Sequence, residues 1–303
     1  MNILLLGGTG TAGRSTLPVL LAAGHTVSVH VRSDLAAARL QPLGVAAIRF
    51  DAEDPEALRS VLRGQDAVID HRVALPPTSR SILPGGWRSF QHLRGPALGL
   101  LVDTMIEAGV PRLVRDLVTF VYEDGGDAWL DEASPASARG AMAANLLAEA
   151  HVSRLTAAGG EGVVLRCGLF YGPDDRMSVE TVRLARRGAA LLLGSDAAWH
   201  SALHTSDVGT AVLAALEVPP GVYNVVDDEP LRRCELVALL AKSAGRRRLH
   251  RPPGLMVPLA GAAGRVQARS HRISNQRFRE ATGWRPRVSS RQDGWPAVFA
   301  ALR

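Results

Sequence analysis

Three sets of side chains in this sequence could do chemistry. The first is the loop Gly7-Gly8-Thr9-Gly10-Thr11-Ala12-Gly13, set between the apolar run Ile3 to Leu6 and an apolar-periodic segment ending near Ala23. A strand, a glycine turn and a helix in that order cradle a pyrophosphate. Gly7 permits the tight turn, Gly10 lets backbone approach the phosphates, and Gly13 lets helix pack close to strand. Thr9, Thr11 and Ala12 complete the contacting loop. The second set is a pair of guanidiniums. Arg32 ends the second strand, where a carboxylate would bind the ribose 2′-hydroxyl of NAD. A guanidinium there suits the 2′-phosphate of NADP, and Arg14 adds a second positive charge. The expected cofactor is therefore NADP, with NAD less favoured. The third set is Asp70-His71-Arg72 at the end of the fourth strand and Arg115-Asp116 inside the fifth. Charges in a central parallel strand are costly unless paired, so all five are expected in one network at the ligand crevice. It reads either as an ion-pair cluster replacing apolar packing or as a relocated acid/base or anion-binding site. His71 titrates near neutrality if it meets solvent.

Alternating strand and helix signals must position these groups. Val27 to Val31, Val45 to Phe50, Ala67 to Ile69, Leu113 to Val118 and Val163 to Cys167 are strand candidates, with helical patterns between them. Asp54-Pro55-Glu56 is a helix start for the segment to Leu62. Strands separated by helices of this length give βαβ units, and so an α/β fold with a parallel, doubly wound Rossmann sheet. Pro76-Pro77 and Pro84-Gly85-Gly86 mark a long loop after the fourth strand, and 124–135 is another. The expected organisation is a dinucleotide-binding domain over 1–167 and a smaller C-terminal substrate domain over 168–303, with 189–217 returning to the Rossmann part.

The chain has 303 residues, 47% hydrophobic and 21% charged, an ordinary globular composition. No apolar run approaches the roughly 20 residues needed to cross a bilayer, so no membrane partner is expected. The apolar start reads as a buried strand and not a signal peptide, which makes a cytoplasmic location the expectation. Cys167 and Cys234 have no metal-ligand spacing, and no metal site is expected. The net charge of +6 is concentrated in residues 231–303, densest at Arg246-Arg247-Arg248 with His250 and Arg251. A solvated basic face is favoured over an anion-binding patch. No aromatic residues interleave to stack bases, so no nucleic acid is expected. Of the 35 basic residues only Lys242 is a lysine, which leaves none for catalysis in the N-terminal half.

Together these features resemble the extended short-chain dehydrogenase/reductase family, epimerase/dehydratase branch, over almost the whole chain. The glycine loop has the family's GxxGxxG form. Asp51-Ala52-Glu53-Asp54 is similar to its adenine-contacting acidic motif. Leu165-Arg166-Cys167-Gly168-Leu169-Phe170-Tyr171-Gly172-Pro173 is similar to its LRxxxxYGP segment, His204-Thr205-Ser206-Asp207-Val208 to HxxDV, and Gly221-Val222-Tyr223-Asn224-Val225 to GxYNV. The resemblance adds Asp51, Ala52, Arg72, Asn145 and Cys167 to the cofactor contacts. It gives His204 and Asp207 structural roles in their turn, puts Tyr171 and Asp174 beside substrate, and leaves His92 a partner-bonded surface histidine. It also implies a homodimer paired through the helices that carry Leu98, Leu101, Met105 and Ile106, then Met142, Leu146 and Leu147.

One part of the pattern is missing. The family places a Tyr and a Lys four residues apart on one helical face. The Lys holds the nicotinamide ribose and lowers the Tyr pKa, so that the Tyr exchanges a proton with substrate. The matching helix is expected over about 137–158. Anchoring on Leu146-Leu147-Ala148-Glu149 puts Ala141 at the Tyr position and Asn145 at the Lys position. The carbonyl-polarising serine is replaced by Val118, with Thr119 the nearest hydroxyl. The expected catalytic set is therefore His71, Asp116, Asp70, Arg72 and Thr119. Three functions are open to it. One is a redox enzyme delivering hydride from NADPH to a small organic substrate. Another is a non-redox cyclase, isomerase or lyase using the charged cluster. The last is a catalytically silent protein that senses the NADP state.

Overall fold

A computed structural model describes residues 1–76, 85–252, 257 and 261–303. Pro77 and Pro84 of the expected loop lie outside the described residues. The chain runs β1 (Asn2–Leu6), α1 (Thr11–Ala22), β2 (Thr26–Val31), α2 (Asp34–Leu40), β3 (Ala46–Arg49), α3 (Pro55–Leu62), β4 (Ala67–Asp70), α4 (Arg88–Arg94), α5 (Pro96–Ala108), β5 (Arg112–Val118), β6 (Trp129–Leu130), α6 (Ala143–Ala157) and β7 (Glu161–Cys167). It continues through β8 (Leu169–Tyr171), α7 (Arg176–Arg186), β9 (Trp199–His200), β10 (Ala202–His204), α8 (Thr205–Ala214), β11 (Gly221–Val225), β12 (Leu231–Arg232), α9 (Arg233–Ser243), α10 (Gly261–Gln267), β13 (Arg272–Ile273), α11 (Gln276–Thr282) and α12 (Arg291–Ala301).

Seven of these strands form one sheet in the order β3-β2-β1-β4-β5-β7-β11. The pairs β1–β2, β1–β4, β2–β3 and β4–β5 are parallel. This is the doubly wound α/β sheet, and its order reverses between β1 and β4. Ligands bind at such a reversal, outside the C-terminal ends of the strands. Ile3, Leu4, Leu5 and Leu6 are all fully buried, which is why β1 reads as an unbroken apolar run. The helix expected from about residue 137 begins at Ala143. Gly140 has φ +59° and opens a short 3-10 turn, Gly140–Met142, ahead of α6. A left-handed residue cannot propagate a right-handed helix.

The chain divides into two interleaved compact units. The first comprises Met1–Leu117, Ala144–Leu165 and Val208–Tyr223; the second comprises Val118–Ala143, Arg166–Asp207 and Asn224–Arg303. Val118–Ala143 falls inside the span expected to be wholly dinucleotide-binding. It sits with the second unit, where β6 pairs in parallel with β13. The first unit's core packs Leu4, Leu6, Val68, Leu98, Leu101 and Leu113, each Leu contributing about 2 kcal/mol by burial. The second unit has its own core, including Tyr171, Val182, Leu236, Leu240, Trp295 and Phe299.

Candidate active site

The glycine loop and the end of β4 are in direct contact. Gly7 has φ +79°, and a Cβ there would fall 2.8 Å from the backbone carbon of His71. A Cβ at Gly13 would fall 2.4 Å from both Gly7 O and Gly8 Cα. Only glycine fits either position. Gly10 caps α1 with no side-chain bond, so the first-turn N–H groups of this helix remain for a ligand's oxygens. Thr9 and Gly10 are exposed, Thr11 is half-buried, and Ala12 and Gly13 are buried. Arg14 Nη1 donates to Thr9 O at 3.0 Å, and Arg32 is exposed at the end of β2. Asp51 accepts the Glu53 N–H at 2.9 Å in an exposed turn after β3, with Ala52 half-buried. A shaped glycine cradle, an uncapped helix N-terminus and an exposed guanidinium at the β2 end fit a dinucleotide.

The five charged residues meet as one buried network beside that cradle. Arg72 folds back on Asp70, with Nε 2.9 Å from Oδ1 and Nη2 3.0 Å from Oδ2. This is the bidentate fork that arginine makes with a carboxylate. Arg115 donates to the carbonyl oxygens of Asp70 and Arg72, and lies 3.6 Å from Asp116. Burial pushes the Asp70 carboxyl up, but the Arg115 and Arg72 charges outweigh it and hold the group well below the usual carboxylate range. Burial is likewise outweighed at Asp116, lowered by His71, Arg115 and Arg94.

His71 has neither ring nitrogen free. Nδ1 lies 2.7 Å from Asp116 Oδ1 and Nε2 lies 3.0 Å from Thr16 Oγ1. An ionised carboxylate only accepts, so Nδ1 carries the proton and Nε2 of a neutral ring accepts from the threonine hydroxyl. The order carboxylate, imidazole, hydroxyl is that of a nucleophilic relay. Here Thr16 is fully buried and His71 is 4% exposed, so no substrate reaches the hydroxyl. In this arrangement His71 locks β4 to α1 and β5.

A further member was not visible in the sequence. Arg94, at the end of α4, donates from Nε to Asn145 Oδ1 at 2.8 Å. Both residues are buried, and Arg94 Nη1 has no partner among the described residues. The guanidinium also lies over the Phe90 ring, 3.9 Å from its centroid. Burial pushes its pKa down to about 9, helped by Arg115 and opposed by Asp116 and Asp70. Three arginines against two aspartates leave the buried cluster positive. An arginine in a seven-residue helix reads as a solvated charge; the usable signal was a lone asparagine on the inward face of α6.

The remaining candidates lie elsewhere. Thr119, in a buried 3-10 turn after β5, and Cys167, buried at the end of β7, belong to the second unit. All three tyrosine hydroxyls are removed from acid–base work. Tyr122 Oη donates to Asn224 Oδ1 at 2.7 Å and accepts from Arg166 at 2.8 Å, and burial pushes it up to about 12. Tyr171 is buried and pushed up further, and Tyr223 donates to Pro219 O. Asp207 accepts the N–H groups of Arg287 and Val288, His204 pairs with Ser206, and His92 pairs with Glu53 at 2.8 Å. In the basic stretch Arg251 is spent on Leu192 O, Gly194 O and Asp196.

Comparison with known proteins places this geometry. The NAD(P)H-binding family matches residues 7–182. The chain is 31% identical, over 97% of its length and 99% of the relative's, to a 3-diazoavenalumate denitrifying reductase of a Streptomyces species. It is 28% identical to a 4-hydroxy-2-methyl-3-oxo-4-farnesyl-3,4-dihydroquinoline-1-oxide ketoreductase of Stigmatella aurantiaca, over 81% of this chain and 74% of that one. In fold it is similar to the human epimerase family protein SDR39U1 (isoform 2), solved with NADPH, with a TM-score of 0.80 at 20% identity over 99% of both chains. No described helix is long and apolar enough to cross a membrane.

Proposed function

Because the chain belongs to the NAD(P)H-binding family, on its extended short-chain dehydrogenase/reductase branch, we propose that it is a NADPH-dependent reductase that acts on a small organic electrophile without taking a proton from a tyrosine. The observation that carries this is the state of α6 and of the tyrosines. Asn145, at the position the family gives to lysine, is buried and held by Arg94, and every tyrosine hydroxyl is committed or buried. When bound, the nicotinamide supplies a hydride. The glycine cradle, the α1 N-terminus and Arg32 bind and orient the dinucleotide. The Asp70–Arg72–Arg115 network stiffens the end of β4 beside the glycine cradle, and Arg94 would supply the positive charge that a lysine brings in the family.

The missing proton donor selects among substrates. Hydride addition to a carbonyl leaves an alkoxide that must be protonated. An aryl diazonium needs no proton. The C–H bond forms at the ring carbon, the C–N bond breaks with its electron pair leaving on dinitrogen, and only the dihydronicotinamide is oxidised. The name of the Streptomyces relative, a denitrifying reductase of a diazo compound, supports this substrate class, and the reductase names favour redox chemistry over a lyase or a silent sensor. The test supplies NADPH deuterated at the transferable position with an aryl diazonium salt and a protein-free control. The expected result is absorbance loss at the NADPH band, dinitrogen release and deuterium on the ring carbon. Oxidation with a β-keto acid but not with the diazonium would overturn the reading.

A further inference from the structure

The second unit contains a cavity of about 470 Å³ lined by Glu123, Asp124, Ser137, Arg139, Arg265 and Arg269. Arg269 is structural there, since its Nη1 donates to Tyr122 O at 2.6 Å and to Ser137 O at 3.1 Å. Arg139 and Arg265 are exposed and make no hydrogen bond or ion pair among the described residues. Glu123 also has no side-chain partner among the described residues. Acids and bases that share a cavity without pairing across it leave room for a ligand between them. The location is specific. Arg139 is the capping residue of the turn Gly140–Met142, and α10, which carries Arg265, packs against that same turn. The turn holds Ala141, where the family resemblance puts the reacting face.

We propose that Arg139 and Arg265 form a carboxylate subsite, so that the substrate of the proposed reductase is a small organic acid with a single negative charge. The proposal rests on that reading for the identity of the ligand as substrate. Arginine forks match the two oxygens of a carboxylate. Three guanidiniums against two carboxylates give the lining a net charge of one, which balances a monoanion. A diphosphate or phosphate dianion would be left with uncompensated repulsion from Glu123 and Asp124. Those two acids instead accept from a hydroxyl or other donor at the far end of the ligand.

The test uses the full chain with NADPH present, and measures binding of 4-hydroxycinnamate, its neutral amide and inorganic phosphate by calorimetry at pH 7. The acid is expected to bind about 10-fold or more tightly than the amide, since charge-assisted hydrogen bonds are roughly twice as strong as neutral ones. Arg139→Met and Arg265→Met should each erode that preference and together abolish it, while NADPH affinity and melting temperature stay unchanged. Equal binding of acid and amide, a preference that survives in the double variant, or stronger binding of phosphate than of the acid would each overturn the subsite. Carboxylate preference without diazonium turnover would leave the subsite standing and remove the reductase reading; turnover without the preference would do the reverse.

Discussion

Under the proposed reading, Arg32, exposed at the end of β2, is the guanidinium that sets the preference for NADPH, while Arg14 donates to Thr9 O. Arg32→Asp is expected to lower the preference for NADPH over NADH by roughly 10- to 100-fold, the worth of one or two charge-assisted bonds. Fluorescence titration of both cofactors reads it, and an unchanged ratio removes Arg32 from the 2′-phosphate site. At this scale the glycine loop was legible because its residues are consecutive and each glycine answers a local steric demand. The pairing of Asp70, Arg72, Arg115 and Asp116 was legible because unpaired charge in a buried strand is so costly. The place of His71 beside Asp116 was expected with them, but its second contact, to Thr16, was not, since Thr16 comes from α1 and nothing near His71 in the chain announces it. Arg94 was hidden for the same reason, its partner lying 51 positions away.

The segment after β11 buries an acid without hydrogen-bonding it. Asp227 is buried with neither carboxylate oxygen hydrogen-bonded among the described residues, and Arg291 Nε stands off at 3.8 Å. Burial pushes its pKa up to about 7 against the pull of Arg291. The folded state therefore holds a proton that the unfolded chain releases above about pH 4. This group's contribution to stability is full below that pH and is lost as pH rises through about 7. Asp227→Asn is expected to raise stability at pH 8 by about 2–4 kcal/mol and to flatten the pH dependence between 4 and 7. Denaturant midpoints at pH 4, 6 and 8 check it, and a variant no more stable than the parent at pH 8 contradicts it. The strands of the central sheet were legible from β-branched runs bounded by turn residues. The start of α6 was not, because alanine-rich sequence continues through Gly140 and only the sign of its φ stops the helix.

For the whole molecule, the expected dimer face is thinner than its composition suggests. Leu98, Leu101 and Met105 on α5 are fully buried within the first unit, as is most of Met142 in the second; Ile106 and Leu147 remain 38% and 48% exposed. If the chain dimerises through α5 and α6, Leu147→Glu should turn dimer into monomer in sedimentation velocity at micromolar concentration. A parent that already sediments as a monomer removes the dimer. The interleaving of the two units has a consequence for biosynthesis. A ribosome releases the chain from its N-terminus, yet the first unit needs Ala144–Leu165 and Val208–Tyr223 for completion. At translation rates of roughly 5–20 residues per second, the wait between Leu117 and Tyr223 is on the order of ten seconds. The outer edge of β5 has no neighbour until β7 is made, and an open apolar edge is what recruits aggregation partners. A nascent chain stalled between those points is therefore the species that most needs a chaperone.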